Sequence, residues 1–489
     1  LKIIIKECKE RVMSTLYDKL KSYSSSDYYG FHMPGHKRRG IRKAGGGVSL
    51  PYDIDITEID GFDDLHHARG ILKNAQERAA RVFHADETHF LVNGSTVGIL
   101  SAVCGITEKG DTILVARNCH KSVYHAINLN ELNPVYLYPG FDSRVGLNTE
   151  IRPQDVIEAL ERYPKVRAVV IVSPTYDGVV SDVTAIAKAV HAKGLPLIVD
   201  EAHGAHFGFH NAFPENANRC GADIVIHSVH KTLPSLTQTA LLHMNGDRID
   251  RRRVKEYLDM LQTSSPSYVL MASIDLCIQE LQSHADEMFE RYVAELCKVR
   301  EKLLGLKCLE LVRTQCYDIS KLIIYAGCSG DTGSALLNRL LSEYHLQMEM
   351  AAGNYVLAMT SVSDTKEGLE RLTNALYRID NKIDHNKKEG ICLKMEEIPR
   401  AEPVYNIART AERVRTGKAG TRLVLWESAI GYISVEYAYL YPPGSPLIVP
   451  GERISEEAVG LLEWYQVKGY SIEGLKRERY IEVLVNEQI

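Results

Sequence analysis

The sequence predicts an α/β protein in which a large unit built on a mostly parallel sheet is followed by a smaller α/β unit and a C-terminal α+β segment. Three observations carry this reading. Between about residues 85 and 245, short β-rich runs alternate with helical stretches, the pattern of a parallel sheet with crossover helices. Each run ends in small or polar residues, and ligands of open α/β sheets bind beyond the carboxyl ends of the strands. With 489 residues the chain exceeds what a single core supports, so two or three packed units are expected.

The β-rich runs are Thr88–Val92, Thr112–Ala116, Ala168–Val172, Leu195–Val199 and Ala222–Ile226. They lead into Asn93-Gly94-Ser95-Thr96, Arg117-Asn118-Cys119-His120, Ser173-Pro174-Thr175-Tyr176, Asp200-Glu201-Ala202-His203 and Ser228-Val229-His230-Lys231. These five tips are expected to converge on one site. His284–Leu304 reads as a long amphipathic helix leading out of the large unit. Strands at Lys321–Tyr325 and Tyr355–Met359, with helices at Gly333–Tyr344 and Lys366–Arg378, make the smaller unit. The polar stretch Asn381–Gly390 reads as a linker, and the prolines of Tyr441-Pro-Pro-Gly-Ser-Pro and Pro450-Gly-Glu mark turns. The expected division is an N-terminal segment at 1–50, a large domain at 51–310, a small domain at 311–380, a linker at 381–394 and a closing domain at 395–489.

Composition narrows the function classes. Hydrophobic residues make up 45% and charged residues 25%, ordinary for a globular protein, and no apolar run reaches the roughly 18 residues of a membrane span. A formal charge of −5 supplies no net basic field for nucleic acid, and Arg251-Arg252-Arg253 reads as a solvated helix face. The ten cysteines are scattered singly, without the spacing of a zinc site or a disulfide framework, which fits reduced thiols in a cytoplasm. The apolar run in Leu1-Lys-Ile-Ile-Ile-Lys is too short for a signal-peptide core.

Lys231 closes the fifth tip ahead of Thr232-Leu233-Pro234, so it is expected on a turn from which its amine can form an imine with an aldehyde cofactor. Alone it reads as a surface lysine. Asp200, thirty-one residues upstream at a strand end, changes that reading, because a buried carboxylate there suits a protonated pyridine nitrogen. Ser95 and Thr96 precede a helical stretch, where hydroxyls and backbone N–H groups can hold a phosphate, although Ser or Thr before a helix is commonly just a cap. Ser228 and His230 can donate to the same phosphate, and His120 can lay a flat ring over a cofactor ring.

Taken in order, Phe31-His-Met-Pro-Gly-His-Lys, Asp60-Gly-Phe-Asp-Asp-Leu-His, Phe90-Leu-Val-Asn-Gly-Ser-Thr, Arg117-Asn-Cys-His-Lys-Ser, Asp200-Glu-Ala-His-Gly-Ala-His and Ser228-Val-His-Lys-Thr resemble the ornithine/lysine/arginine decarboxylases. Tyr441-Pro-Pro-Gly with Pro450-Gly-Glu resembles that family's closing domain, so the resemblance covers nearly the whole chain. It implies a PLP-dependent transferase-like fold of the aspartate aminotransferase type and pyridoxal 5′-phosphate (PLP) as cofactor. The implied reaction is decarboxylation of a basic amino acid, arginine narrowly ahead of lysine and ornithine. By resemblance Lys231 is the lysine joined to PLP, Asp200 the partner of its pyridine nitrogen, and His120 the residue stacked on its ring. Ser95, Thr96, Ser228 and His230 match phosphate-binding positions. Ala202 and His203 match positions beside the cofactor, with His203 where other members carry Trp. Ser264, in Thr263-Ser-Ser-Pro-Ser-Tyr, matches a hydroxyl that reaches the phosphate of the neighbouring subunit, which implies a homodimer with shared sites.

There are two departures from the family pattern. About 30 residues precede Phe31, where long members carry a wing domain that drives decamer assembly, so the chain resembles the short form. The phosphate loop Asn-Gly-Ser-Thr-Val-Gly is one residue shorter than the Asn-Gly-Thr-Ser-Thr of the long members. Lys231 and Asp200 would serve an aminotransferase or another lyase of the same fold equally well. A PLP-binding regulator without catalysis is the rival from another class, and no appended helix-turn-helix segment supports it.

Overall fold

A computed structural model of the chain describes residues 27, 29–31, 58, 62–313, 316–326, 329, 331–383, 397–440, 445–467 and 471–485. Its centre is a seven-stranded sheet. Strands β1 (Glu87–Leu91), β2 (Thr112–Ala116), β3 (Asn133–Leu137), β4 (Val166–Val172), β5 (Leu197–Asp200), β6 (Ile224–His227) and β7 (Ala240–Met244) stand in the order β1-β7-β6-β5-β4-β2-β3. Only β7 runs against its neighbours β1 and β6; the other pairings are parallel. The architecture is the expected one, with β3 and β7 added to the five anticipated runs. A sheet covered on both faces needs apolar residues on both. Phe90 accordingly packs in one core with Phe83 and Leu241, while its neighbour Leu91 packs in the other with Val97 and Ile226.

Helices α1 (Ile71–Val82), α2 (Gly94–Ile106), α3 (Lys121–Leu129), α4 (Pro153–Arg162), α5 (Val183–His191), α6 (Val229–Thr232) and α7 (Arg251–Leu261) accompany this sheet. The long helix α8 (Tyr268–Leu303) has 36 residues and begins well before the expected His284. Its start is set by Ser267, whose hydroxyl caps Leu270 N–H, and its first half is buried through Met271, Ile274, Ile278 and Leu281. That half is tied to the large unit, because Leu236 N–H donates to Ser273 Oγ at 2.9 Å. The second half is tied to the small unit by Tyr292 to Thr360 at 2.6 Å and by Arg300 Nη1 to the Ile319 carbonyl at 3.0 Å.

The small unit is an antiparallel sheet of β8 (Glu310–Leu311), β9 (Lys321–Tyr325), β10 (Met350–Ala352) and β11 (Tyr355–Met359), ordered β8-β9-β11-β10. It carries α9 (Gly333–Tyr344) and α10 (Lys366–Asp380). Phe31 is stitched to it, donating its N–H to Gln347 O at 2.7 Å and accepting from Met359 N–H at 2.9 Å. The C-terminal segment is α+β. In it α11 (Ile407–Arg415) sets Ile407 into the core of the large unit, while the antiparallel pair β12 (Gly420–Leu425) and β15 (Tyr480–Val485), the pair β13 (Ala438–Leu440) and β14 (Pro446–Ile448), and α12 (Glu456–Val467) surround Trp426 and Leu462. We propose the domain division stated above, with β8 straddling its 310/311 boundary. Most of the expected linker, the run 441–444 and the motif after Phe31 lie outside the described residues. Among the described residues no helix is long and apolar enough to cross a membrane.

Candidate active site

Asp200 is the last residue of β5, in register between Val172 and Ile226, and is 3% exposed. Burial pushes its carboxyl above the usual range, against the pull of the Lys231 amine and of Ala202 N–H, which donates to Oδ1 at 3.2 Å. At the neighbouring tip, Ser228 is buried and donates through Oγ to Ser95 Oγ at 2.9 Å, joining β6 to the start of α2. Asn93 stands at the N-cap of α2 but makes no capping bond; its Oδ1 instead accepts from Thr263 N–H at 3.1 Å. Gly94 follows at φ +74°, a left-handed conformation that glycine adopts without strain. The first turn of α2 thus lacks a side-chain cap from Asn93 and presents the positive end of its dipole to the site.

Lys231 was expected on a turn; it sits instead on the single helical turn α6. Leu233 N–H closes that turn on Val229 O at 3.0 Å, and Pro234, which has no N–H, follows it. The half-buried amine donates to His203 Nε2 at 2.9 Å. Burial lowers the Lys231 pKa, opposed by Asp200 and then by Glu349. His203 is held well below the usual imidazole range by burial and then by Lys231, so it accepts as a neutral ring, and its buried Nδ1 has no hydrogen-bond partner among the described residues. His120 caps α3: its Nδ1 accepts from Ser122 N–H at 3.2 Å and lies 2.8 Å from Ser122 Oγ. Burial, then Lys231, pushes its pKa down to about 3, which keeps the ring neutral.

The remaining expected residues are peripheral to this group. Ala202 is buried with its N–H on Asp200, and His230 Nδ1 donates to Thr239 O at 2.8 Å. Thr96 and Ser264 are exposed. Ser264 follows Thr263, whose N–H is bound to Asn93 and whose carbonyl lies 2.8 Å from His66 Nε2, so the segment rests on the α2 terminus of its own chain.

Three features were not foreseen. Tyr176 donates its hydroxyl to Glu349 and sets its ring 4.6 Å from that of His203, which brings a carboxylate of the small unit toward Lys231. The only trace in the sequence is an acid within the apolar run Leu346-Gln-Met-Glu-Met. Arg117 is paired with Glu452, residues quoted above in separate motifs without a link between them. Beneath the strand tips, His227 Nε2 donates to Glu201 Oε2 at 2.7 Å, His243 Nε2 to His227 Nδ1 at 3.0 Å, and Thr88 Oγ1 to His243 Nδ1 at 2.7 Å. Both rings are fully buried and pack against Phe83.

A half-buried amine of lowered basicity, under the influence of a buried carboxylate at the carboxyl edge of an α/β sheet, is an arrangement that could serve an enzyme working through a lysine. The chain belongs to the Orn/Lys/Arg decarboxylase family, whose major-domain model matches residues 14–324. That family places it among the PLP-dependent amino-acid decarboxylases. It is 37% identical over 455 residues to the uncharacterized protein YaaO of Bacillus subtilis, covering 91% of this chain and 92% of the relative. To an arginine decarboxylase of Halalkalibacterium halodurans it is 32% identical over 458 residues, with 91% of each chain covered. The crystal structure of a Francisella novicida lysine decarboxylase has a similar fold at a TM-score of 0.74 and 20% identity, covering 86% of this chain and 73% of that one.

Proposed function

We propose that this chain decarboxylates a basic L-amino acid with PLP, arginine narrowly ahead of lysine and ornithine. The observation that carries the substrate class is Glu349. Two carboxylates act on the Lys231 amine, and with Asp200 assigned to the cofactor ring, Glu349 and its partner Tyr176 are left to receive a cationic side-chain end. Arginine leads because relatives named arginine decarboxylase match at about this identity over nearly the whole chain.

The residues present fit PLP. The Lys231 amine, less basic than usual, is suited to join an aldehyde, and His203 orients it. Ser95, Ser228 and the first turn of α2 suit the phosphate, with Thr96 and His230 beside them. Asp200 would hold the proton on the pyridine nitrogen, and that cation in turn would keep the buried carboxylate ionised. His120, neutral and flat, would cover one ring face, and the buried Nδ1 of His203, without a hydrogen-bond partner among the described residues, could meet a polar group of the cofactor or substrate. When bound, PLP supplies an electron-poor ring that takes up the electron pair left as carbon dioxide departs. We further propose a cytoplasmic homodimer with shared sites.

The test incubates purified protein and PLP with arginine, lysine and ornithine separately. Carbon dioxide and the matching amine are expected, fastest with arginine; keto acid in their place would establish the aminotransferase reading. Glu349→Gln should raise KM for the preferred substrate roughly tenfold or more, the effect of removing one charged hydrogen-bond partner, with kcat changed less. An unchanged KM removes the substrate-class argument.

A further inference from the structure

The loop that carries His120 is fastened from outside by the C-terminal segment. Arg117 has a wholly buried side chain, and Glu452 takes both its terminal nitrogens, Nη1 to Oε1 at 2.9 Å and Nη2 to Oε2 at 3.0 Å. Nη2 also donates to Leu447 O at 3.1 Å, and Glu452 Oε2 accepts from Val449 N–H at 2.9 Å. One residue on, the Asn118 carbonyl accepts from Ser445 Oγ at 2.9 Å, and beyond His120 the Lys121 amine lies 5.4 Å from the centre of the Tyr439 ring. Residues on either side of His120 are therefore each held by Tyr439 or by the stretch 445–452. That stretch turns at Gly451, whose φ of +94° is left-handed and where a Cβ would stand 2.3 Å from Tyr405 O.

Two layers could be held together equally well by apolar side chains, since replacing a buried ion pair by hydrophobic groups is often neutral for stability. What a fork-to-fork pair adds is angle, because two parallel bonds fix orientation as well as distance. The guanidinium is seated further by the Tyr136 ring, 4.6 Å from its centre. Among the described residues the His120 ring is hydrogen-bonded only to Ser122, so the angle of its ring follows the backbone that Arg117 and Asn118 present.

We propose that Arg117 and Glu452 are positioning residues that set the seat of His120 against the cofactor, making the C-terminal segment a wall of the active site. The inference rests on the PLP reading above. Its test is a double variant, Arg117→Met with Glu452→Met, compared with the wild type for the melting temperature of the cofactor-free protein, the PLP dissociation constant and the circular dichroism of the bound cofactor's visible band. The melting temperature should fall, since the Leu447 carbonyl and the Val449 N–H lose partners, while the protein stays folded. The dissociation constant should rise roughly three- to tenfold, the loss of one ring-stacking contact, and the visible dichroism, which reports how the ring is seated, should fall. Ser445→Ala should move both in the same direction, by about twofold in affinity. Unchanged affinity and dichroism in the folded double variant overturn the inference; should the double variant not fold, unchanged values in Ser445→Ala do so. Wild-type protein that binds no PLP would sink the cofactor reading instead, and this inference with it.

Discussion

Neighbouring residues at the ends of β5 and β6 belong to two different polar clusters. Asp200 and Ser228 belong to the site, while Glu201 and His227 belong to the buried chain that continues through His243 to Thr88. In the buried chain every imidazole nitrogen of the two histidines has a partner, and the carboxylate of Glu201 also accepts from Ala217 N–H at 3.0 Å. In the candidate site, His203 keeps a buried nitrogen without a partner among the described residues, the Asn93 side chain makes no capping bond to α2, and the Lys231 amine rests on a neutral ring. Buried polar groups are mostly paired within a fold, so the fully paired chain fits a role in holding the sheet together, and the incompletely paired group fits the ligand site proposed above.

Three experiments break or sharpen that contrast. The largest effect is expected from Lys231→Ala, which should cut turnover by more than about a thousandfold while leaving the cofactor-free protein as stable as before, because the lost amine was held partly desolvated. Borohydride reduction followed by mass spectrometry should find no lysine–cofactor adduct; an adduct retained in this variant refutes the assignment.

On the other side, His243→Leu strands His227 Nδ1 and the Thr88 hydroxyl in the interior. It should lower the stability of the cofactor-free protein by about 1–3 kcal/mol, measured by denaturant unfolding, with turnover per folded molecule within a few-fold of normal. An unmoved unfolding midpoint would remove the structural role of the chain, and a collapse of turnover with stability intact would move the chain into the site.

The smallest signal concerns Ser264. Mixing the inactive Lys231→Ala and Ser264→Arg proteins should restore about a quarter of wild-type activity after subunit exchange, provided the segment serves the neighbouring chain. Silence in a mixture with proven exchange would assign Ser264 to its own chain, beside Asn93, where Thr263 already bonds.

The strands could be read because β-branched and aliphatic runs punctuated by polar tips are local signals, and Lys231 and Asp200 stood out because each closes such a run. β3 was missed: Asn133-Pro134 opens it at the sheet edge, where proline is tolerated but weakens the pattern. The first turns of α8, Tyr268 to Ser283, were not anticipated, and the cap at Ser267 that starts them shows only in the hydrogen bond it makes. Glu349 and the Arg117–Glu452 pair were invisible for another reason. Their meaning lies in a partner 173 residues away in the first case and 335 in the second, and a single sequence carries no record of such distances.

The long helix α8 can also be regarded as a mechanical part. Its 36 residues make a rod about 54 Å long, bolted near one end to the segment that follows Lys231 and near the other to the sheet that bears Glu349. The gap between amine and carboxylate is then gauged by a stiff shaft rather than a loop. Such a shaft bends gently along its whole length instead of folding at a point, so the span offered to a substrate side chain behaves as a machined tolerance of the frame.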